Sequence, residues 1–408
     1  MCNTNLCHTI LRYCEKALSL QRLTHKDDMK EAINKREFVF GIAVDDYNFT
    51  DREQEKRQLK MNFEAGINTI LISPRRWGKT SLVKKAAKLV DSSSTIVVYM
   101  DMFPCKTEYD FYNAFSAALL TQTASRKELW MENAREFVAR LVPKISFSPE
   151  PNSDISLSLG ITPATHTPEE ILNLPEHIAR QKEKRIVVCI DEFQQIGEFA
   201  DSLTVQKRLR TVWQHQQLTS YCLFGSKKHL MTSLFGLRSK PFYQFGQMMY
   251  LTKIPVEAWI DYIQSHFAVK GCQIPEEVVK ELCLLVEQQS SYVQQLAAIV
   301  LSLLSEGQTA TSEHVKTAFS FLLDACTPLF KQQIATLTGY QLNCLRAVQA
   351  GHHSDLGEKE IRDTFDLGSP SNIPRLKNAL QEKDLIELDG RDVIISDPVF
   401  ARWLKERG

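Results

Sequence analysis

Residues 70–83, Ile-Leu-Ile-Ser-Pro-Arg-Arg-Trp-Gly-Lys-Thr-Ser-Leu-Val, read as a buried strand, a tight loop and the opening turns of a helix. A loop of this kind wraps an anion. Its successive backbone N–H groups point inward, and the helix behind it presents its positive end. Gly78 lets the backbone approach a phosphate where a Cβ would collide. Lys79 reaches toward β- and γ-oxygens, and the Thr80 hydroxyl offers a place on Mg²⁺. Ser73, Pro74, Arg75, Arg76, Trp77 and Ser81 complete the candidate nucleotide-binding loop and first helical turn. The pattern G-x-x-x-x-G-K-[ST] is broken at its first position by Ser73, and serine tolerates a left-handed backbone less well than glycine. A second run answers the loop downstream: Arg185-Ile-Val-Val-Cys-Ile-Asp191-Glu192 is another buried-type strand, and it ends in two acids. The two runs have the form of a Walker A loop and a Walker B strand.

Three runs carry a resemblance: Ser73 to Val83, Ile190-Asp191-Glu192-Phe193-Gln194, and Leu223-Phe224-Gly225-Ser226. They look like those of the archaeal-type ATPases, AAA+-related P-loop enzymes grouped with the STAND signal-transduction class. Asn48-Phe49-Thr50-Asp51-Arg52-Glu53 is similar to the Phe-x-x-Arg-Glu segment that precedes the first strand in that family. Phe49 and Arg52 are therefore further candidate nucleotide contacts. The resemblance covers residues 36–408 and implies a C-terminal winged helix. It also implies a polar γ-phosphate sensor at Ser226 and a Gly-x-Pro lid element that touches the nucleotide. The corresponding place here, Gln289 to Leu296, holds neither Gly nor Pro, so the lid contact is not expected from the motif.

Composition fits these motifs without adding to them. The chain has 408 residues, enough for two or three domains. Lys plus Arg equals Asp plus Glu at 49 each, so no global basic field recruits nucleic acid. No run approaches the roughly 18 apolar residues of a membrane span. Cys105, Cys189, Cys222, Cys272, Cys283, Cys326 and Cys344 are scattered without metal-ligand spacing. They read as free thiols of a reducing, cytoplasmic compartment. The segment with Cys2, Cys7 and Cys14 lacks the pattern of a signal peptide, and Met29 is an alternative start.

Along the chain, five strands separated by helices predict an α/β P-loop fold with a five-stranded parallel sheet. Its strands are expected near Ile70, at Thr95–Met100, Arg185–Asp191, Tyr221–Phe224 and Gln247–Leu251, with an amphipathic stretch from Val205 to Leu218. Alternation in 144–148 and 154–159 around a Pro-Asn-Ser turn predicts a β-hairpin insertion at about 143–160. Thr167-Pro168-Glu169-Glu170 opens a helix. From Pro255 a helical period runs to about Leu329. The expected organisation is an N-terminal extension (1–35), an ATPase core (36–254), a helical lid (255–332) and a winged helix (336–408).

Phosphoryl transfer to water needs positioning and charge neutralisation more than covalent chemistry. Asp191, with Thr80, is expected to hold Mg²⁺, and Glu192 to serve as base or orienter for the attacking water. Lys79, Ser226 and Arg238 complete the catalytic set, Arg238 as a candidate arginine finger. Gln194 is read as bonding water or a neighbouring loop. Ser371, Asn372, Arg375, Lys377 and Asn378 are plausible DNA ligands, yet residues 336–408 hold ten basic against twelve acidic side chains. A DNA reader usually has a basic footprint. The expected partners are thus ATP and a protein or a second copy of the chain, with DNA less favoured and no membrane.

Overall fold

The computed structural model describes residues 38, 40, 48–124 and 167–408. The expected extension at 1–35 and hairpin at 143–160 lie outside the described residues. Five short runs rich in β-branched and aromatic residues form the sheet: β1 (Thr69–Ile72), β2 (Thr95–Asp101), β3 (Arg185–Asp191), β4 (Thr219–Gly225) and β5 (Gln247–Tyr250). All pair in parallel, in the order β2-β3-β4-β1-β5. β1 and β4 are buried at every position, as central parallel strands covered on both faces must be.

Side-chain alternation along the strands divides the core in two. Leu71, Val187, Cys189, Cys222 and Phe224 pack on one face against α1 (Glu53–Ala65) and α2 (Lys79–Lys88). Ile70, Ile72, Val188, Ile190, Tyr221 and Leu223 face the other helices. These are α3 (Glu108–Thr123), α4 (Pro168–Leu172), α5 (Leu174–Lys182), α6 (Ser202–Trp213) and α7 (Lys228–Gly236). Thr167 and Glu170 form the expected capping box at the start of α4. The amphipathic stretch anticipated to Leu218 stops at Trp213, and β4 starts at Thr219. The early stop has a physical reason. Trp213 stacks on Tyr221 at 3.9 Å, and Gln216 in the turn accepts the Tyr221 hydroxyl at 2.7 Å. The seven described cysteines are unbridged, six of them buried.

Beyond the sheet come α8 (Val256–Val269), α9 (Glu276–Leu285), α10 (Ser290–Ser302) and α11 (Ser312–Ala335). Then follow α12 (Gly339–Gln349), α13 (Lys359–Thr364), α14 (Asn372–Glu382), the antiparallel pair β6 (Ile386–Asp389) and β7 (Asp392–Ile395), and α15 (Pro398–Arg407). Helix α11 runs through Pro328 to Ala335, just short of residue 336. Helices α8–α15 also share one apolar core, in which Phe330 of α11 meets Phe400 and Trp403 of α15. Phe38 packs in this second core, stacked on His266 at 5.0 Å. No helix of the described residues is long and apolar enough to cross a membrane.

Candidate active site

The loop 73–78 leaves the C-terminal end of β1 and delivers Lys79 into the first turn of α2. Its left-handed residues are Arg76 (φ 66°) and Gly78 (φ 82°), and Ser73 is not among them. The missing first glycine therefore costs the loop nothing in backbone strain. Ser73 contributes instead: its carbonyl and Oγ accept from Lys79 Nζ at 2.9 and 3.3 Å, and the Pro74 carbonyl accepts at 2.8 Å. Lys79 is 6% exposed. Burial pushes its ammonium down to about 8, against the opposing pull of the Glu192 and Asp191 carboxylates.

The sheet order explains how the other groups converge. β4 lies between β1 and β3, so Ser226 just past its end stands between the loop and the two acids. The Thr80 hydroxyl donates to Asp191 Oδ2 at 2.7 Å, and the Glu192 amide donates to Asp191 Oδ1 at 2.9 Å. Burial raises the Asp191 carboxyl, offset by the Thr80 hydrogen bond. Glu192 has a left-handed backbone (φ 52°). Its Oε2 accepts from Ser226 Oγ at 2.9 Å and from Gln194 Nε2. Ser226 Oγ in turn accepts Arg75 Nε–H at 3.3 Å. A hydroxyl and a carboxylate in contact beside this loop are the hard oxygen donors that suit Mg²⁺. Thr80 and Asp191 thus fit that ion, with Glu192 beside them.

A cleft of about 730 Å³ opens from this end, walled by the loop, by Asp191, Glu192 and Ser226, and by residues of α8 and α10. Phe49, Arg52, Trp77 and Ser81 all line it. Phe49 lies under Lys85 at 5.2 Å, and buried Arg52 pairs with Glu55 at 3.0 Å. Ser290, Ser291, Gln294 and Gln295 also line the cleft, so α10 reaches it without a Gly-x-Pro element. Arg76 Nη1 donates to the Tyr292 hydroxyl of α10 at 3.1 Å, and that hydroxyl donates to Asp397 at 2.6 Å. Arg238 is exposed in the turn after α7 and does not line the cleft.

A second cleft, of about 510 Å³, lies between the core and the β6–β7 hairpin. Asp384 lies 3.8 Å from Arg75 and 4.0 Å from Lys227, and Glu387 lies 4.0 Å from Lys228. Burial raises the Glu387 carboxyl, against the pull of Lys228. Sequence reasoning missed Tyr292, Asp384 and Asp397. Tyr292 and Asp384 touch the loop from more than two hundred residues away, Asp397 reaches it only through Tyr292, and no local pattern marks these contacts. Gln194 was legible as a bonding group, but its partner was not.

Residues 49–233 match a family described as an ATPase domain predominantly from Archaea. Among solved structures the chain is similar to a Walker-type ATPase of Pyrococcus abyssi, with a TM-score of 0.64 and 16% identity. That likeness covers 91% of this chain and 100% of the other. It is also similar to the Aeropyrum pernix ORC2 protein, solved in ADPNP–ADP complexes, with a TM-score of 0.55 and 13% identity. Here 91% of this chain and 95% of the other are covered. At such identities the likeness speaks for the fold. No curated protein matches the chain in sequence.

Proposed function

We propose, from the premise that residues 49–233 carry an ATPase domain of the predominantly archaeal family, that the chain is a Mg²⁺-dependent, STAND-like molecular switch driven by ATP. ATP binds in the cleft between the sheet and α10, with its phosphates in the loop 73–81. Lys79 leaves its carbonyl partners for the β- and γ-oxygens. Thr80 and Asp191 would hold Mg²⁺, which when bound would supply charge neutralisation for the phosphate oxygens. Glu192 takes a proton from water as its oxygen bonds to the γ-phosphorus and the bond to the β-bridging oxygen breaks, releasing ADP and phosphate. Ser226 senses the γ-phosphate, Phe49 and Arg52 hold the rest of the nucleotide, and Arg238 serves a neighbouring copy as arginine finger.

The observation that carries this reading is the convergence of Lys79, Thr80–Asp191 and Glu192–Ser226 at one end of one cleft. We take the core as 36–254, the lid as 255–332 and a winged helix as 336–408. The lid and winged helix respond together, because ATP changes what Arg75 and Arg76 can hold. The test is phosphate release from ATP with Mg²⁺. Glu192→Gln should lose about 10²- to 10⁴-fold in turnover, the usual worth of a general base, while still binding ATP. Lys79→Ala should lose binding. Full turnover in Glu192→Gln would remove Glu192 from its role.

A second reading is a nucleotide-gated DNA-binding regulator, favoured by the exposure of Arg375 and Asn378 on α14. Against it stand the acidic balance of 336–408 and the carboxylates of Asp384 and of Glu387 in β6, which already face core cations. Salt-dependent DNA retention lost in Arg375→Ala would favour it.

A further inference from the structure

Gln194 is 3% exposed and lies in the 3₁₀ helix Phe193–Glu198, which Phe193 and Ile196 anchor in the apolar face of the sheet. Its amide nitrogen donates to Glu192 Oε2, the oxygen that also receives Ser226 Oγ at 2.9 Å. Its amide oxygen is buried without a hydrogen-bond partner. That oxygen rests where a side chain of Gly225 would be: a Cβ built there would lie 1.8 Å from it. Gly225 has no left-handed backbone to require glycine. The space, rather than the conformation, selects it.

Burying an amide with half of its bonding capacity unmet costs stability. The bond gained in return is the one to Glu192. Two donors on Oε2 fix the carboxylate plane, and no hydrogen bond of the described residues ends on Oε1. We propose that Gln194 is a positioning residue for ATP hydrolysis. With Ser226 it clamps Oε2 of Glu192 and turns Oε1 to the water whose proton it takes, and Gly225 is the glycine that admits the clamp. The inference rests on Glu192 acting as the base.

The experiment measures kcat, KM and ATP affinity in the full chain for Gln194→Met, Gln194→Glu and Gly225→Ala. It adds Gln194→Ala with and without Gly225→Ala. Methionine fills the space but cannot donate, and an ionised glutamate keeps the shape but repels Glu192. Both should lower kcat by about tenfold or more, as loss of a group that orients a base does. KM and ATP affinity should stay within about twofold, since no substrate contact is removed. Gly225→Ala should lower kcat alike by displacing the amide. In the Gln194→Ala background it should add little, because the atom it displaces is gone. Native turnover in Gln194→Met would overturn the inference, as would a parallel loss of kcat and ATP affinity or full additivity in the double variant. If Glu192→Gln itself turns over normally, the assignment of the base has failed. If Glu192→Gln is dead and Gln194→Met is not, the clamp alone has failed.

Discussion

Lys79 is the residue on which an anion would act most. Without one, its ammonium is satisfied by Ser73 and Pro74 oxygens and buried, and burial brings it from 10.5 down to about 8. A lowered lysine value means that the folded chain binds fewer protons than the unfolded chain between those two values. Stability from this group therefore rises with pH across that window and is level below it. We expect the nucleotide-free protein to gain stability from pH 8 to 10 relative to Lys79→Met, whose side chain cannot titrate. Phosphates beside Lys79 would restore its proton, so the gain should disappear for the native chain at saturating ATP. Denaturant midpoints across pH check this. Equal slopes for native and Lys79→Met without nucleotide would remove Lys79 as the source.

At the scale of elements, the loop separates two demands that a single glycine can hide. A Cβ added at Gly78 would meet nothing within 4 Å, yet its φ is +82°. Gly78→Ala should thus lose only about 1–2 kcal/mol of stability without nucleotide, the cost of a left-handed residue with a Cβ. ATP affinity should fall further, because the added methyl occupies the space into which phosphate must come. Calorimetric binding beside chemical denaturation checks the split, and equal losses in both would show that only the backbone is at stake. The loop and the five strands were legible because strand, loop and helix onset are written in adjacent residues. Ser73 was legible as a departure but not as harmless, since the positive φ fell on Arg76 and Gly78. The end of α6 was misjudged because Trp213 stops there to stack on Tyr221, a contact between elements that the 3.6-residue period does not carry.

For the whole molecule, the question is whether helices α8–α11 and the C-terminal unit respond to nucleotide as one body. Residues 336–338 alone separate helix α11 from α12, and the Thr327 hydroxyl of α11 receives the Trp403 indole N–H at 2.9 Å. Trp403 is 1% exposed, 5.6 Å from Phe330 and stacked on Phe400. Two connections run from this body to the phosphate loop, Arg76–Tyr292–Asp397 and Arg75–Asp384. The Arg75–Asp384 pair is partly exposed and contributes little by itself. Its importance lies in sharing Arg75 with Ser226, so a change at the loop is felt at both ends of one side chain. Trp403→Ala should cost about 3–5 kcal/mol, the usual loss for a buried tryptophan. Because the apolar core is continuous, the loss should appear throughout α8–α15 and not in α12–α15 alone. Hydrogen exchange resolved by segment measures this. Faster exchange spreading through α8–α11 supports a single body that carries the state of the loop to the C-terminal hairpin. Faster exchange confined to residues after Ala335 would instead make the C-terminal unit an independent module. The signal from bound nucleotide would then have to pass through Arg75–Asp384 and the Tyr292–Asp397 bond rather than through a shared core.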